Sequence, residues 1–268
     1  MTRLFRQLVL FGFAVFFLMP VYVLLVTAFK SPGEVDVVHM WSLPRSLSIE
    51  NFTTVWPKLE NGMVNSLMLA IPASLISSFL GAANGFVLAK WRFPGADIVF
   101  PVILFGMFIP YQAVIIPMSA LMSDIGLKGG LDGLILLHIV YGLPITTLIF
   151  RNYYIGLSEE VIEAARVDGA GMLRTFAYIA LPLGLPAFAV SMIWQFTSAW
   201  NDFLFGIIMT RTEFWPVTVA LNNVAGAQTV PFNQAMASAF LASLPTLLVY
   251  LLLGRFFMRG LMAGALKG

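Results

Sequence analysis

The chain contains no cysteine. Disulfides, thiolate metal sites and a cysteine nucleophile are therefore excluded, although in a membrane protein this absence says nothing about compartment. Charge is scarce as well: 10% of the 268 residues are Asp, Glu, Lys or Arg, against roughly 25% in an ordinary globular protein. The net charge of +2 gives little electrostatic reason to expect a nucleic-acid partner. Only two histidines occur, His39 and His138, and they show no metal-ligand spacing. No G-x-x-x-x-G-K-[ST] string is present, so the chain has no phosphate-cradling loop of its own. No nucleophile and base are arranged as an enzyme would need. What remains is apolar: 59% of the residues are hydrophobic, and a bilayer is the solvent that suits them.

Six apolar segments are long enough to cross a hydrocarbon core of about 30 Å as helices. They lie near residues 8–29, 64–89, 98–121, 132–150, 186–209 and 236–257. The first follows Arg3 and Arg6 but exceeds the 7 to 15 residues of a signal-peptide core, so it is read as a span. Pro20, Pro72, Pro110 and Pro144 fall inside these segments and predict kinks. The expected architecture is an all-α integral membrane protein, a single six-helix domain over residues 1–268. In the second segment Ala73, Ser77, Gly81, Gly85 and Ala89 recur every four residues. Such a ridge lets another helix approach closely, either within the chain or in another subunit.

With six spans both termini share one side. Arg3, Arg6, Lys90, Arg92, Arg151, Arg166, Arg174, Arg255, Arg259 and Lys267 fall on that side, and Lys30, Arg45, Lys58, Lys128 and Arg211 on the other. The positive-inside rule makes the richer side, with both termini and residues 151–182, cytoplasmic.

One cytoplasmic stretch, EAARVDGAGMLRTFAYIALP at 163–182, interrupts the apolar run. Ser158 before Glu159 and Glu160 is a helix start, since a hydroxyl caps free amides and acidic residues suit the positive end of the dipole. The helix should reach about Asp168, and Gly169 supplies the left-handed residue that closes helices. Leu173, Phe176, Ala177 and Ala180 then fall at helical spacing up to Pro182. Two short helices with a sharp bend are expected. Glu159, Glu163 and Arg166 form a charged stripe, while Val161, Ala164 and Ala165 give a small apolar surface. Periodicity alone fits either a helix seated in a groove of a cytosolic partner or a solvated amphipathic loop.

The spacing Glu163, Ala164, Ala165, three residues, Gly169, nine residues, Ile179, one residue, Leu181, Pro182 resembles the full EAA motif of ABC importer permease subunits. "AKWRFPG" after the second span, "PYQAVIIPM" in the third, "WNDF" at 200–203 and the ending "GLMAGALKG" are similar to the carbohydrate-uptake, maltose-type branch, and the likeness runs over nearly the whole chain. Two positions depart from it: Ser158 stands where many relatives have proline, and Gly171 where Ser or Thr often caps the second helix. The resemblance implies that Glu163, Ala164, Ala165, Asp168, Gly169, Ile179, Leu181 and Pro182 belong to a coupling segment, 158–182, docked on a cytosolic ATPase. It implies a second permease subunit, two such ATPases, an extracytoplasmic sugar-binding protein, and a bacterial or archaeal inner membrane. ATP and Mg would sit on the ATPase, with no cofactor in this chain. The tail "GALKG" would reach the ATPase dimer, or else is a frayed end.

Polar groups inside spans are costly and mark packing contacts or a wet path. Gln112, Gln195, Asn201 and Asp202 are the candidates, with Trp194 and Trp200 beside them. Amides for hydroxyls and indoles for sugar faces suit a saccharide, and hydrogen bonds between permease subunits would use the same residues. The outer segment 210–235 is longer than a usual connection; by the resemblance, Asn222, Asn223 and Gln228 in it would lie near the binding protein. The tail "GRFFMRGLMAGALKG" and the loop before it look most like permeases for glucose or mannose, so the resemblance implies glucose, mannose or a related small saccharide as substrate. A different mechanism, a proton-coupled secondary transporter with Asp202 and His138 as relay groups, would need neither nucleotide nor partner.

Overall fold

A computed structural model describes residues 3–36, 38–91, 93–226 and 230–265. The main helices are α1 (Arg3–Ala28), α2 (Glu50–Lys90), α3 (Ala96–Phe105), α4 (Tyr111–Asp124), α5 (Leu131–Ile155), α6 (Glu159–Val167), α7 (Met172–Thr175), α8 (Leu181–Leu183), α9 (Leu185–Trp200), α10 (Leu204–Met209), α11 (Val217–Ala225) and α12 (Phe232–Ala265). Among the described residues there is no strand, only an isolated parallel bridge between Gly129 and Thr210.

Four helices are long and apolar enough to cross a membrane: α1, α2, α5 and α12. The third and fifth segments differ from the single helices expected. Residues 98–121 are broken at Ile109 and Pro110, both extended, and Ala96–Phe108 and Tyr111–Asp124 meet at 97°. Proline permits the break, because it removes an amide and disfavours helix at the residue before it. Pro20 and Pro144, by contrast, lie inside unbroken helices. Residues 186–209 also fail to form one helix. α9 ends at Trp200, and the Asp202 carboxylate accepts from the Phe205 amide (3.2 Å) and the Gly206 amide (2.8 Å), starting α10 afresh. The segment Met172–Leu183 joins α9 at a 76° bend. If each bent pair is one span, the total reaches six. The segment 210–235 is no plain loop either, since α11 occupies its centre.

The chain divides into two compact units, residues 1–63 with 217–244, and residues 64–216 with 245–268. In the first, Ala28, Val55, Leu59, Val224 and Ala237 make the core, with Phe52, Met63, Ala220 and Leu221 packed on it. Val55 and Leu59, four apart on α2, explain why that helix begins at Glu50 and not near 64: its early turns bury an apolar stripe. A buried polar knot accompanies them. Asn51 Nδ2 donates to the Ala28 and Lys30 carbonyls (both 2.8 Å), and Asn233 Nδ2 donates to Asn51 Oδ1 (2.7 Å) and to Lys30 O (3.2 Å). Residues 3–21 of α1 are exposed throughout, which in a bilayer is a surface for lipid or another subunit.

In the second unit the core holds Ala82, Phe86, Phe150, Tyr154, Ile162, Phe176, Ala180 and Ala187. The small-residue ridge of α2 is used here within the chain. A Cβ on Gly85 would come within 2.6 Å of the Arg151 amide and 2.7 Å of Phe150 Cβ, and one on Gly81 would collide with Thr146. α2 and α5 therefore pack backbone to backbone, the role small residues play between membrane helices. Ser78 and Ser191 hydroxyls add a buried hydrogen bond (2.8 Å) between α2 and α9.

Candidate coupling surface and translocation path

The segment 158–182 is a helix, a turn and a second helical stretch. The Ser158 hydroxyl accepts from the Glu160 amide (3.2 Å) and starts α6. At the other end Gly169 has φ +78°. Its amide donates to the Arg166 carbonyl (3.0 Å), and the Ala170 amide donates to Ala165 O (2.9 Å). This pair of bonds is the Schellman closure, which satisfies the last carbonyls of a helix. A Cβ at Gly169 would meet nothing within 4 Å, so the backbone angle and not crowding calls for glycine. Gly171 differs: its φ is −72° and it stands at the N-cap of α7, a conformation any residue adopts. Met172–Thr175 then continues into a π-turn, Phe176–Ala180, and α8.

α6 is fixed to its own chain on one side. Ile162 is fully buried and Ala165 is 6% exposed. Lys90, the last residue of α2, buries its stem and donates from Nζ to the Leu157 carbonyl (2.8 Å) and to Glu159 Oε1 (2.6 Å). Arg166 turns back over the Trp91 ring (4.9 Å) and donates to Lys90 O (3.0 Å), where a cation suits the negative end of α2. The expected stripe of Glu159, Glu163 and Arg166 is thus divided: two members anchor the segment, and Glu163 is left exposed with Ala164, Val167 and Asp168. Val167 is 87% and Leu173 75% exposed, a high value for apolar side chains on a polar segment. Ile179 and Leu181 pack against the core cluster, and Pro182 is exposed. Of the motif residues, Glu163, Ala164, Asp168, Gly169 and Pro182 face outward, while Ala165, Ile179 and Leu181 pack on the chain itself. Lys90 and Trp91 were not singled out from the sequence for this role. The signal available was a lysine placed at the end of an apolar helix in "AKWRFPG".

The intramembrane polar residues separate in the same way. Gln195 is buried, donates from Nε2 to the His138 carbonyl (2.7 Å) and packs so tightly on Gly142 that a Cβ there would sit 2.5 Å from its amide. Asp202 caps α10 and lies 3.6 Å from His138 Nε2. These two hold α5, α9 and α10 together. Gln112 and Asn201 are exposed, and Trp194 is 56% exposed while Trp200 is buried and stacked on Phe196. Asn222 and Asn223 are exposed on α11; Gln228, like Arg92 and the end of the tail from Leu266, lies outside the described residues. No group of three or more His, Asp or Glu among the described residues could hold a metal ion.

The fold has known counterparts. Residues 81–262 match the family described as binding-protein-dependent transport system inner membrane component. The chain belongs to that family. Among its relatives are a probable ABC transporter permease of Pyrococcus horikoshii, 44% identical over 186 residues (69% of this chain, 68% of the relative), and the glucose import system permease GlcU of Saccharolobus solfataricus, 32% identical over 258 residues (93% and 90%). The xylose/arabinose import permease XacI of Haloferax volcanii is 33% identical over 273 residues (92% and 87%). In structure the chain is similar to a bacterial ABC transporter that imports alginate, with TM-score 0.79, 21% identity and 95% of both chains covered. The resemblance to carbohydrate ABC permeases read from the EAA spacing and the strings accompanying it therefore holds, and the family is one of membrane transport components, not of enzymes.

Proposed function

We propose that this chain is a six-span permease subunit of an ATP-driven, binding-protein-dependent sugar importer, working by alternating access. Residues 158–182 are its coupling segment. The observation that carries the reading is the geometry of α6: closed by a left-handed Gly169, tied to the end of α2 by Lys90 and Arg166, and presenting Glu163, Ala164 and Val167 outward. A solvated loop has no need of such anchoring or of exposed Val167 and Leu173. The rigid, part-apolar knob suits a groove on a nucleotide-hydrolysing partner, where closure of two ATPases, each holding ATP and Mg, would push on it. Family membership and the ABC permease relatives support the same reading. A related structural neighbour is a bacterial alginate ABC transporter in complex with a pentasaccharide-bound periplasmic protein, which supports an external binding protein, with Asn222 and Asn223 near its contact.

The partner permease completes the path, and both termini are cytoplasmic. The relatives act on several sugars by name, glucose and xylose/arabinose among them; a small saccharide such as glucose or mannose is the proposed substrate. The test is affinity purification of the tagged chain in mild detergent with mass-spectrometric identification of bound proteins. An ATPase and a second permease are expected. Repeated recovery of the folded chain alone would overturn the reading.

A further inference from the structure

The break in the third apolar segment sits at Ile109 and Pro110, midway along residues 96–124. Extended backbone at that depth frees amides and carbonyls, and Pro110 at the N-cap of α4 offers no side-chain cap. Such backbone is tolerated inside a bilayer only where protein or a water-filled cavity meets it. The first two residues of α4, Tyr111 and Gln112, are both exposed, and a phenol and an amide facing lipid at mid-depth would be costly.

Three rings gather at this break. Tyr111 packs on Phe205 with centroids 5.1 Å apart, and Tyr141 packs on the same ring at 5.5 Å. Phe205 is buried at 4% exposure, whereas Tyr111 is 37% exposed and Tyr141 half-buried. His138 stands edge-on to Phe205 at 6.0 Å; it is buried, and its Nε2 has no hydrogen-bond partner among the described residues. A buried phenylalanine thus backs two accessible tyrosines, with an exposed amide and the buried His138, 3.6 Å from the Asp202 carboxylate, adjoining. Hydroxylated rings present C–H faces to aromatics and O–H groups to phenols and amides.

Resting on the importer reading, we infer that Tyr111 and Tyr141, backed by Phe205, form a sugar-contacting wall of the translocation path at the broken third span, with Gln112 as its polar neighbour. The absence of cysteine permits a direct test. Tyr111→Cys and Tyr141→Cys are introduced singly into the assembled transporter in proteoliposomes, treated with a charged, membrane-impermeant maleimide, and this chain's labelled peptides are quantified. Glucose, mannose, xylose and a non-transported sugar alcohol are the probes, and wild-type uptake is measured first.

Labelling at both positions is expected, falling several-fold during ATP-driven turnover with a transported sugar and unchanged with the sugar alcohol. No labelling, or labelling indifferent to the transported sugar, overturns the inference. If a cysteine variant fails to assemble, Tyr111→Phe and Tyr111→Leu take its place: Phe should keep uptake, and Leu should lower it about tenfold, the scale of one lost stacking contact, with ATP hydrolysis retained. Equal uptake in all three, or loss of the complex on Tyr111→Leu alone, assigns the ring to packing and also overturns it. A wild-type complex that takes up no sugar would instead sink the importer reading, whatever the maleimide finds.

Discussion

Lys90 illustrates how much rests on one side chain. Its stem is buried while its ammonium reaches the Leu157 carbonyl and Glu159, so Lys90→Met should leave that carbonyl without its donor and cost about 1–3 kcal/mol locally. The expected result is weaker ATPase co-purification with normal membrane insertion, and Lys90→Arg should recover part of it. Gly169 gives a second test. Asparagine tolerates the left-handed region better than other side chains, so Gly169→Asn should keep ATPase binding while Gly169→Asp, adding charge to the exposed turn, abolishes it; a pull-down from solubilised membranes decides. A bulky residue at Ala165 would strike this chain's own core before any partner. In the segment between α1 and α2, the His39 ring and amide hydrogen-bond the Asp36 carboxylate and hold it below the ordinary carboxylate range. Because the folded value is the lowered one, this contribution is present above the unfolded value and is lost as pH falls through the folded one. An NMR titration should find Asp36 below about 3.9, with the acid step gone in Asp36→Asn.

At the scale of elements, close approach of α2 and α5 makes a sharp prediction. Gly85→Leu must displace backbone of α5 at Arg151, an overpacking that costs about 1–3 kcal/mol or more; the variant should lose its thermal transition in detergent by several degrees or fail to accumulate. Gly171→Ser should do the opposite, adding a cap at compatible angles for a few tenths of a kcal/mol with unchanged ATPase binding. The helices were legible in the sequence because membrane spans announce themselves by length and apolarity, and the α6 turn was legible because Ser158, Gly169 and their spacing are local signals. The broken third and fifth segments were not. Pro110 looks like Pro144 in a hydropathy pattern, and only packing decides which proline bends its helix and which breaks it. Likewise Gln195 and Asp202 read by polarity as either path or packing residues, and their partners at His138 and on α10 are contacts no local pattern encodes.

For the whole molecule, α1 is exposed along residues 3–21, and Leu8, Phe11, Phe16 and Phe17 on it are 61%, 69%, 65% and 71% exposed. Under the proposed heterodimer, part of that surface gains a partner. Co-expression with the cognate permease should then raise the thermal midpoint of the detergent-solubilised chain in a concentration-dependent way, as any ligand of the folded state does; an unchanged midpoint would argue for lipid as the sole neighbour. The family and the helical architecture were readable from composition and the EAA spacing, whereas the anchoring of α6 by Lys90 and Arg166 depends on contacts between distant residues. The Gly169 turn carries one more consequence, in the currency of mutational supply. Its side-chain space is empty, so only the backbone angle guards the position. No single-base change of a glycine codon reaches asparagine, the one ordinary replacement that fits; even from GGU or GGC the route runs through serine or aspartate. Drift at this turn therefore has to cross a damaged intermediate.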